Sequence, residues 1–292
     1  MSTSTLDRPT PTQPDRKPPS HRSAATPLRY LAALAIVAVT VVPLLFVILG
    51  GFKTNADINA NPAGLPKSWV LSNYTKILRS SSFWHFVVNS LVIAVIATVL
   101  AVGLGSMAAF ALSRYAFRGR EFIYTLFTIG LLFPLTVATL PVYLMLRKFH
   151  LLENMLGVAI PEAAFSLPVT IIILRPFMMA IPAELEDAAV MDGSTKLGFF
   201  TRILLPLSRP ALVTVGVLAF ITSWNGYLLP LLVFNEQQNF TLPLGVATFQ
   251  SQFSQDTAGI LAFTALSMIP ALVFFIFAER KIVGGLTGSI KG

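Results

Sequence analysis

The sequence predicts an all-α integral membrane protein with six transmembrane helices and both termini in the cytosol. A charged, helical cytosolic loop lies between the fourth and fifth spans. Three observations predict this class. Hydrophobic residues make up 54% of the 292 and charged ones only 12%, a balance that lipid accommodates and water does not. The apolar residues come in runs long enough to cross a hydrocarbon core of about 30 Å. Between those runs, Lys and Arg gather on one side, as the positive-inside rule requires.

Residues 1–27 are polar, rich in Pro, Ser and Thr, and carry Arg8, Arg16, Lys17 and Arg22. They cannot bury enough apolar area to offset ordering, so a disordered cytosolic tail is expected. The polar lead is too long for a signal peptide, and no small-residue cleavage site follows the apolar run. Tyr30 to Phe52 is uncharged and forms the first span. Ser80 to Ser113, also uncharged, reads as one helix from about Phe83, and Gly103 and Gly105 point to close approach of a neighbour. Phe122 to Leu146 is the third span, bent by Pro134 and Pro141. Leu156 to Leu174 is the fourth, broken by Pro161, Glu162 and Pro168. Ala211 to Phe234 and Ala258 to Ala278 are the fifth and sixth. Gln237 to Gln255 has no charge either, but its glutamines, Asn239 and Pro243 make it too polar to span, and it is expected as an external loop. The membrane domain is thus 28–282, followed by a short cytosolic tail, 283–292.

Six spans put both termini on one side. With the N-terminus inside, the inner segments hold Arg8, Arg16, Lys17, Arg22, Arg29, Arg114, Arg118, Arg120, Arg175, Lys196, Arg202, Arg209, Arg280, Lys281 and Lys291. Of the 21 Lys and Arg, only Lys53, Lys67, Lys76, Arg79, Arg147 and Lys148 stay outside. The net charge of +8 is spread between hydrophobic runs and forms no single basic patch, so a nucleic-acid partner is excluded. The absence of cysteine removes disulfides and thiolate chemistry.

The loop 182–206 is the one place where spacing makes a specific statement. Pro182 suits the first turn of a helix. Glu184, Glu186 and Asp187 load its positive end with negative charge. Leu185, Ala188 and Ala189 then form a small apolar stripe. After Asp192, Gly193 falls where a C-terminal cap belongs. Ser194 or Thr195 caps a second helix whose Leu197, Phe200, Ile203 and Leu204 share a face until Pro206 stops it. An amphipathic helix on the membrane surface would be lysine-rich against an anionic leaflet; this one is acidic, narrow and rich in alanine, which suits a groove on another protein.

The string Asp187-Ala188-Ala189, three residues, Gly193, nine residues, then Ile203-Leu204-Leu205-Pro206 resembles the EAA loop of permease subunits in binding-protein-dependent ABC importers. Asp187 stands where the family has glutamate. The flanks LRPFMMAIPAELEDAA and SWNGYLLPLL and the ending GGLTGSIKG resemble the carbohydrate, maltose-type branch in particular. The resemblance implies that the loop is a coupling helix docking in a cleft on an ATPase subunit, through Glu184, Glu186, Asp187, Ala188, Ala189, Asp192, Gly193, Ile203 and Pro206. It implies a second homologous permease chain, an ABC ATPase dimer, an extracytoplasmic solute-binding protein, a bacterial inner-membrane location, and a C-terminal tail reaching towards the ATPases.

The sequence has no G-x-x-x-x-G-K-[ST] loop, so ATP and Mg are expected on the partner ATPase; no cofactor and no enzymatic activity are expected of this chain. His21, His85 and His150 are scattered and form no H-E-x-x-H pair, and no G-x-S-x-G elbow appears. Glu162, inside the fourth span, is costly at that depth unless it faces water or a bundle interior, which makes it a candidate acceptor for sugar hydroxyls. Trp224, Asn225 and Tyr227 offer stacking surface and an amide for a sugar ring, with Gly226 where the carbohydrate branch often has an acid. Arg175 is expected to snorkel to headgroups or to brace the coupling loop. The expected function is import of a carbohydrate, in particular an oligosaccharide. The alternatives are a polyol or glycerol phosphate carried by the same superfamily, and a stand-alone secondary carrier.

Overall fold

A computed structural model describes residues 25–246 and 256–288, with side chains over 29–246 and 256–276. The tail up to residue 24, residues 247–255 of the polar run, and 289–292 at the C-terminus lie outside the described residues. The described residues divide at Leu45: the first unit there is the beginning of one helix, and the second is everything from Phe46 onward.

That first helix, α1, runs Ala25–Gly50, so it begins inside the expected tail. Short helices α2 (Asn55–Ala60) and α3 (Ser72–Leu78) lead into α4 (Ser81–Arg114). The third apolar run becomes two helices, α5 (Arg120–Gly130) and α6 (Leu135–Lys148), bent by 102° at Pro134. After α7 (Met155–Met179), the loop holds α8 (Glu184–Met191), α9 (Lys196–Phe199), a π turn Phe200–Leu204 and α10 (Leu205–Leu207). Helix α11 (Arg209–Trp224) follows a 79° bend, then come α12 (Leu228–Val233), α13 (Leu242–Gly245) and α14 (Thr257–Gly288). Among the described residues, four helices are long and apolar enough to cross a membrane, or six if each bent pair is one span.

The longest helix, α4, is organised back to front compared with a helix in water. Its large apolar residues Trp84, Val88, Leu91, Val95 and Val99 are exposed at helical spacing, as a lipid-facing surface requires. Through the middle of the helix the buried side is small, with Ala94, Ala97, Ala101, Gly105, Ser106 and Ala109, while Phe83, Phe86 and Phe110 are buried towards its ends. Small residues bring backbones close, and in membranes dispersion contacts replace the missing hydrophobic drive. Gly105 meets α7 so closely that a Cβ there would collide with the Thr170 methyl. Gly103, expected to share that role, has nothing near it and faces away.

Three other expectations change. The fourth apolar run is not broken: α7 passes through Pro161, Pro168 and Pro176 as one helix. Each proline frees a backbone carbonyl, but leaving the helix in a bilayer would expose many more backbone groups, so the helix persists. The fifth run is interrupted instead, ending α11 at Trp224 and restarting at Leu228. The polar run after Phe234 folds back towards α4: Leu242 and Leu244 are buried, and Ser90 Oγ accepts from Leu242 N at 2.8 Å. Helix α14 continues ten residues beyond the expected Ala278, through Gly284 and Gly285, because extending a formed helix is far easier than starting one.

Candidate functional site

In the loop, the backbone follows the expected plan. Glu184, Glu186 and Asp187 occupy the first turn of α8. Its end is a Schellman cap: Ser194 N donates to Ala189 O at 2.8 Å and Gly193 N to Val190 O at 2.9 Å. Gly193 has φ +80°, and a Cβ there would meet nothing, so the demand for glycine is conformational. Thr195, not Ser194, caps α9 by accepting from Gly198 N at 3.1 Å. Pro206 does not stop the second helix but widens it. Its ring removes the N–H that would reach Arg202 O, Leu205 N reaches back five residues to Phe200 O, and the chain stays helical to Leu207.

The buried side of the loop is Ala189, Phe199, Phe200 and Leu204, packed against Phe110, Leu174, Met178 and Val215; Ile203 packs at its margin. Phe110 stacks on Phe200 with ring centroids 4.8 Å apart. Of the expected stripe only Ala189 turns inward. Leu185, Ala188, Val190 and Met191 stay on the surface, Met191 at 87% exposure, and Leu197 at 66% is not on the buried face. Asp187, Asp192 and Gly193 are exposed with them.

Among the described residues, no side chain from outside the loop is hydrogen-bonded to residues 182–206. Its polar links to the rest of the chain converge on two neighbours at the end of α4. Arg114 Nε stands 3.9 Å from Glu186 Oε2, and Lys196 Nζ lies 4.6 Å from the Tyr115 ring centroid. Burial, and the Glu186 charge nearby, hold the Tyr115 phenol above its usual range. Arg114 also donates through Nη2 to Met178 O and Ile181 O, both at 2.8 Å, closing the C-terminal end of α7. Arg175 does the reverse: its Nε donates to Leu112 O at 3.1 Å at the end of α4. The two arginines therefore cap each other's helices, satisfying carbonyls that helix ends leave unpaired. Arg175 is buried, paired with Glu121 and lies 4.0 Å over the Tyr124 ring, so its charge is held inside the protein and does not snorkel. The sequence signal for both was an arginine at the last turn of an apolar run, which alone does not distinguish capping from snorkelling.

The membrane candidates fall into two groups. Ser223 Oγ donates to Glu162 Oε2, and a Cβ on Gly226 would run into the Glu162 carboxylate. Glu162, Gly226 and Tyr227, with Ser166 and Thr222, line a cavity of about 110 Å³. Trp224 and Asn225 instead line a cavity of about 340 Å³ with Thr264 and Ser267. Trp224 is buried and stacks on Phe220 with centroids 5.9 Å apart, while Asn225 Nδ2 donates to Ile221 O of its own helix. The break between α11 and α12 thus sends neighbouring residues to opposite sides. Ser223 was missed as a partner because a serine 61 positions away carries no pairing signal in sequence. His85 and His150 are exposed and His21 lies outside the described residues; among the described residues no three His, Asp or Glu gather as a metal group.

Comparison with known proteins agrees with this geometry. Residues 101–280 match the model of the family described as "Binding-protein-dependent transport system inner membrane component". A diacetylchitobiose uptake system permease of Streptomyces coelicolor is 31% identical, covering 94% of this chain and 96% of its own length. An arabinooligosaccharides transport system permease of Halalkalibacterium halodurans is 33% identical over 88% of this chain and 93% of its own. Among solved structures, a chain of a bacterial ABC transporter that imports the acidic polysaccharide alginate superposes with a TM-score of 0.75. It is 22% identical and covers 90% of this chain and 99% of that one, a likeness of fold. The match over more than half the chain places it: this protein belongs to the binding-protein-dependent transport system inner membrane component family.

Proposed function

We propose that this chain is the permease subunit of an ATP-driven ABC importer that carries a carbohydrate, in particular an oligosaccharide, delivered by an extracytoplasmic binding protein. The observation that carries the reading is the loop: a capped helix–glycine–helix element that exposes Leu185, Val190, Met191 and Leu197 beside Glu184, Asp187 and Asp192, uncovered among the described residues. Such a face fits a groove on a partner. The sugar reading is supported by relatives whose names specify diacetylchitobiose and arabinooligosaccharides.

In this reading the chain has six spans in a bacterial inner membrane, with both termini cytosolic, the tail 1–27 at one end and 283–292 at the other. The positive-inside count supports that orientation. The chain pairs with a second homologous permease and two copies of an ATPase, which binds ATP and Mg and does the hydrolysis. Glu184, Glu186, Asp187, Ala188, Ala189, Asp192 and Gly193 meet the ATPase, while Ile203 and Pro206 shape the second arm of the lever. Closure of the ATPase pair moves the loop, and the α4–α7 seam carries the movement to the solute path by rigid-body motion. Glu162 with Tyr227, and Trp224 with Asn225, line that path from two sides of α11, offering an acceptor, an amide and aromatic faces to sugar hydroxyls and rings.

The test is co-purification. A tagged chain extracted from its native membrane in mild detergent is expected to bring a second six-span chain and a Walker-motif ATPase in stoichiometric amounts. A chain that purifies alone, where known complexes survive, would contradict the reading.

A further inference from the structure

The end of α4 holds two polar groups that the fold leaves unused. Arg114 Nε and Tyr115 Oη are both buried, and among the described residues neither has a hydrogen-bond partner. They are adjacent in sequence, and both face the loop: Arg114 Nε stands 3.9 Å from Glu186 Oε2 of α8, and the Tyr115 ring centroid lies 4.6 Å from Lys196 Nζ. A gap of 3.9 Å is an ion pair but not a hydrogen bond, which an N–H donor makes at about 2.7–3.2 Å. Buried donors without partners are unfavourable, and native structures rarely keep two side by side.

The surrounding contacts fix which side of the gap can move. Arg114 Nη2 is committed to Met178 O and Ile181 O, so the guanidinium is bound into the frame of α4 and α7. Glu186 has no such commitment: its side chain is 21% exposed against 6% for Arg114. It rides on a helix that its own chain holds by one apolar side, through Ala189. A displacement of α8 towards α4 by about 1 Å, the scale of helix shifts at subunit interfaces, closes the gap.

We propose that Arg114 and Tyr115 are positioning residues forming a two-position latch for the coupling loop. The arrangement described is its open position; in the closed one Glu186 accepts from both Arg114 Nε and the Tyr115 hydroxyl. The inference rests on the coupling reading and deepens it: the partner's push on α8 is registered by a hydrogen-bond pair completed only when the loop has moved. An element held in one place gains nothing from the open gap. One that alternates gains a second defined position, and packed interfaces of this kind switch between positions and do not deform continuously.

The chain has no cysteine, so two introduced ones are the labelling sites it offers, and the unsubstituted chain in the same complex gives the background from its partners. Spin labels at Met191→Cys and Arg118→Cys, both exposed positions, are placed in the assembled transporter with its co-purified partners in nanodiscs. Distances are read without nucleotide and with MgATP on a hydrolysis-deficient ATPase subunit. MgATP is expected to populate a shorter distance. In the Tyr115→Phe background, the short population is expected to fall roughly tenfold relative to the long one, as loss of a hydrogen bond to a charged group predicts. Tyr115→Phe should not lower the melting temperature of the nucleotide-free complex, because the hydroxyl has no partner there to lose. A merely structural role for the tyrosine predicts the opposite pattern: a changed melting temperature and an unchanged distance shift. Glu186→Gln should reduce the short population as well, and the double variant should lose less than the sum of the two. An identical shift in wild type, Tyr115→Phe and Glu186→Gln overturns the latch, as does no shift in wild type. Failure of the coupling reading itself shows separately, as normal uptake by a Gly193→Pro transporter.

Discussion

The two ends of α4 carry loops that are held in different ways. Near Ser81, side chains reach across and seize the backbone of other segments. Lys53 is buried and donates to Asn61 O and Pro62 O; Asn73 holds Gly51 O and Lys53 O; Asn89 donates to Gln238 O at 2.8 Å and to Phe240 O at 3.0 Å. Glu153, with φ +56°, gathers four donors: Asn235 N and Nδ2, Glu236 N and Asn239 Nδ2. Near Arg114 the loop 182–206 receives no hydrogen bond from a side chain outside itself, among the described residues. It rests on Ala189, Phe199, Phe200 and Leu204, and turns Met191 and Leu197 outward. The first end is completed by its own chain. The second leaves apolar side chains exposed, as the proposed docking on a partner requires. The difference separates residues whose loss should unfold the protein from residues whose loss should silence it.

The largest effect should come at the open end. Proline at Gly193 cannot adopt φ +80° and removes the N–H that caps Val190 O, so the corner between α8 and α9 is lost. Gly193→Pro is expected to abolish uptake while the chain remains inserted and present at normal levels; normal uptake would break the contrast. Asp187→Lys reverses an exposed charge in the first turn of α8 and is expected to lower uptake by on the order of tenfold without loss of protein. At the tied end the order reverses. Asn89→Ala leaves two carbonyls without their donor at a cost of about 1–3 kcal/mol, and should lower the melting temperature by several degrees while uptake per folded molecule stays near normal.

The smallest effect concerns pH. Burial pushes the Glu153 carboxyl up, but the hydrogen bonds from Asn239, Asn235 and Glu236 N outweigh it and hold it below the usual carboxylate range. A carboxylate depressed in the folded state stabilises fully above its unfolded pKa of about 4.3 and loses that contribution as pH falls through the lowered value. The gap in melting temperature between wild type and Glu153→Gln should therefore be open at neutral pH and close below about pH 4. A gap independent of pH would show that Glu153 acts by shape alone.

How much of this was legible in the sequence follows from the range of each interaction. The apolar runs were legible because lipid acts on each stretch separately, and the loop because caps are set by residues within one turn: Glu184 and Gly193 each speak locally, although Pro182, expected in the first turn, lies just before α8. The continuity of α7 was not, since the tolerance of Pro161, Pro168 and Pro176 depends on neighbours and on the bilayer. Nor was the break at Asn225 that divides Trp224 from Tyr227. The reciprocal caps of Arg114 and Arg175, and the Ser223 hydroxyl on Glu162, join positions 61 to 67 residues apart, where no periodicity reaches. Gly103 and Gly105 look alike in sequence, and only the packing of Thr170 against one of them tells them apart.

The central claim is that the apolar outer face of the loop is completed by an ATPase. The most direct measurement is a single-cysteine crosslink in native membranes, with the wild-type chain, which has no cysteine, as the blank. A cysteine at Met191 is compared with one at Trp69, another exposed apolar residue, in the segment leading to the tied end. With a short photoactivatable crosslinker on the cysteine, Met191→Cys is expected to give one ATPase adduct whose yield changes when ATP is added, and Trp69→Cys none. An ATPase adduct from Trp69→Cys in place of Met191→Cys, or no adduct from Met191→Cys in a complex that still contains the ATPase, would contradict the account.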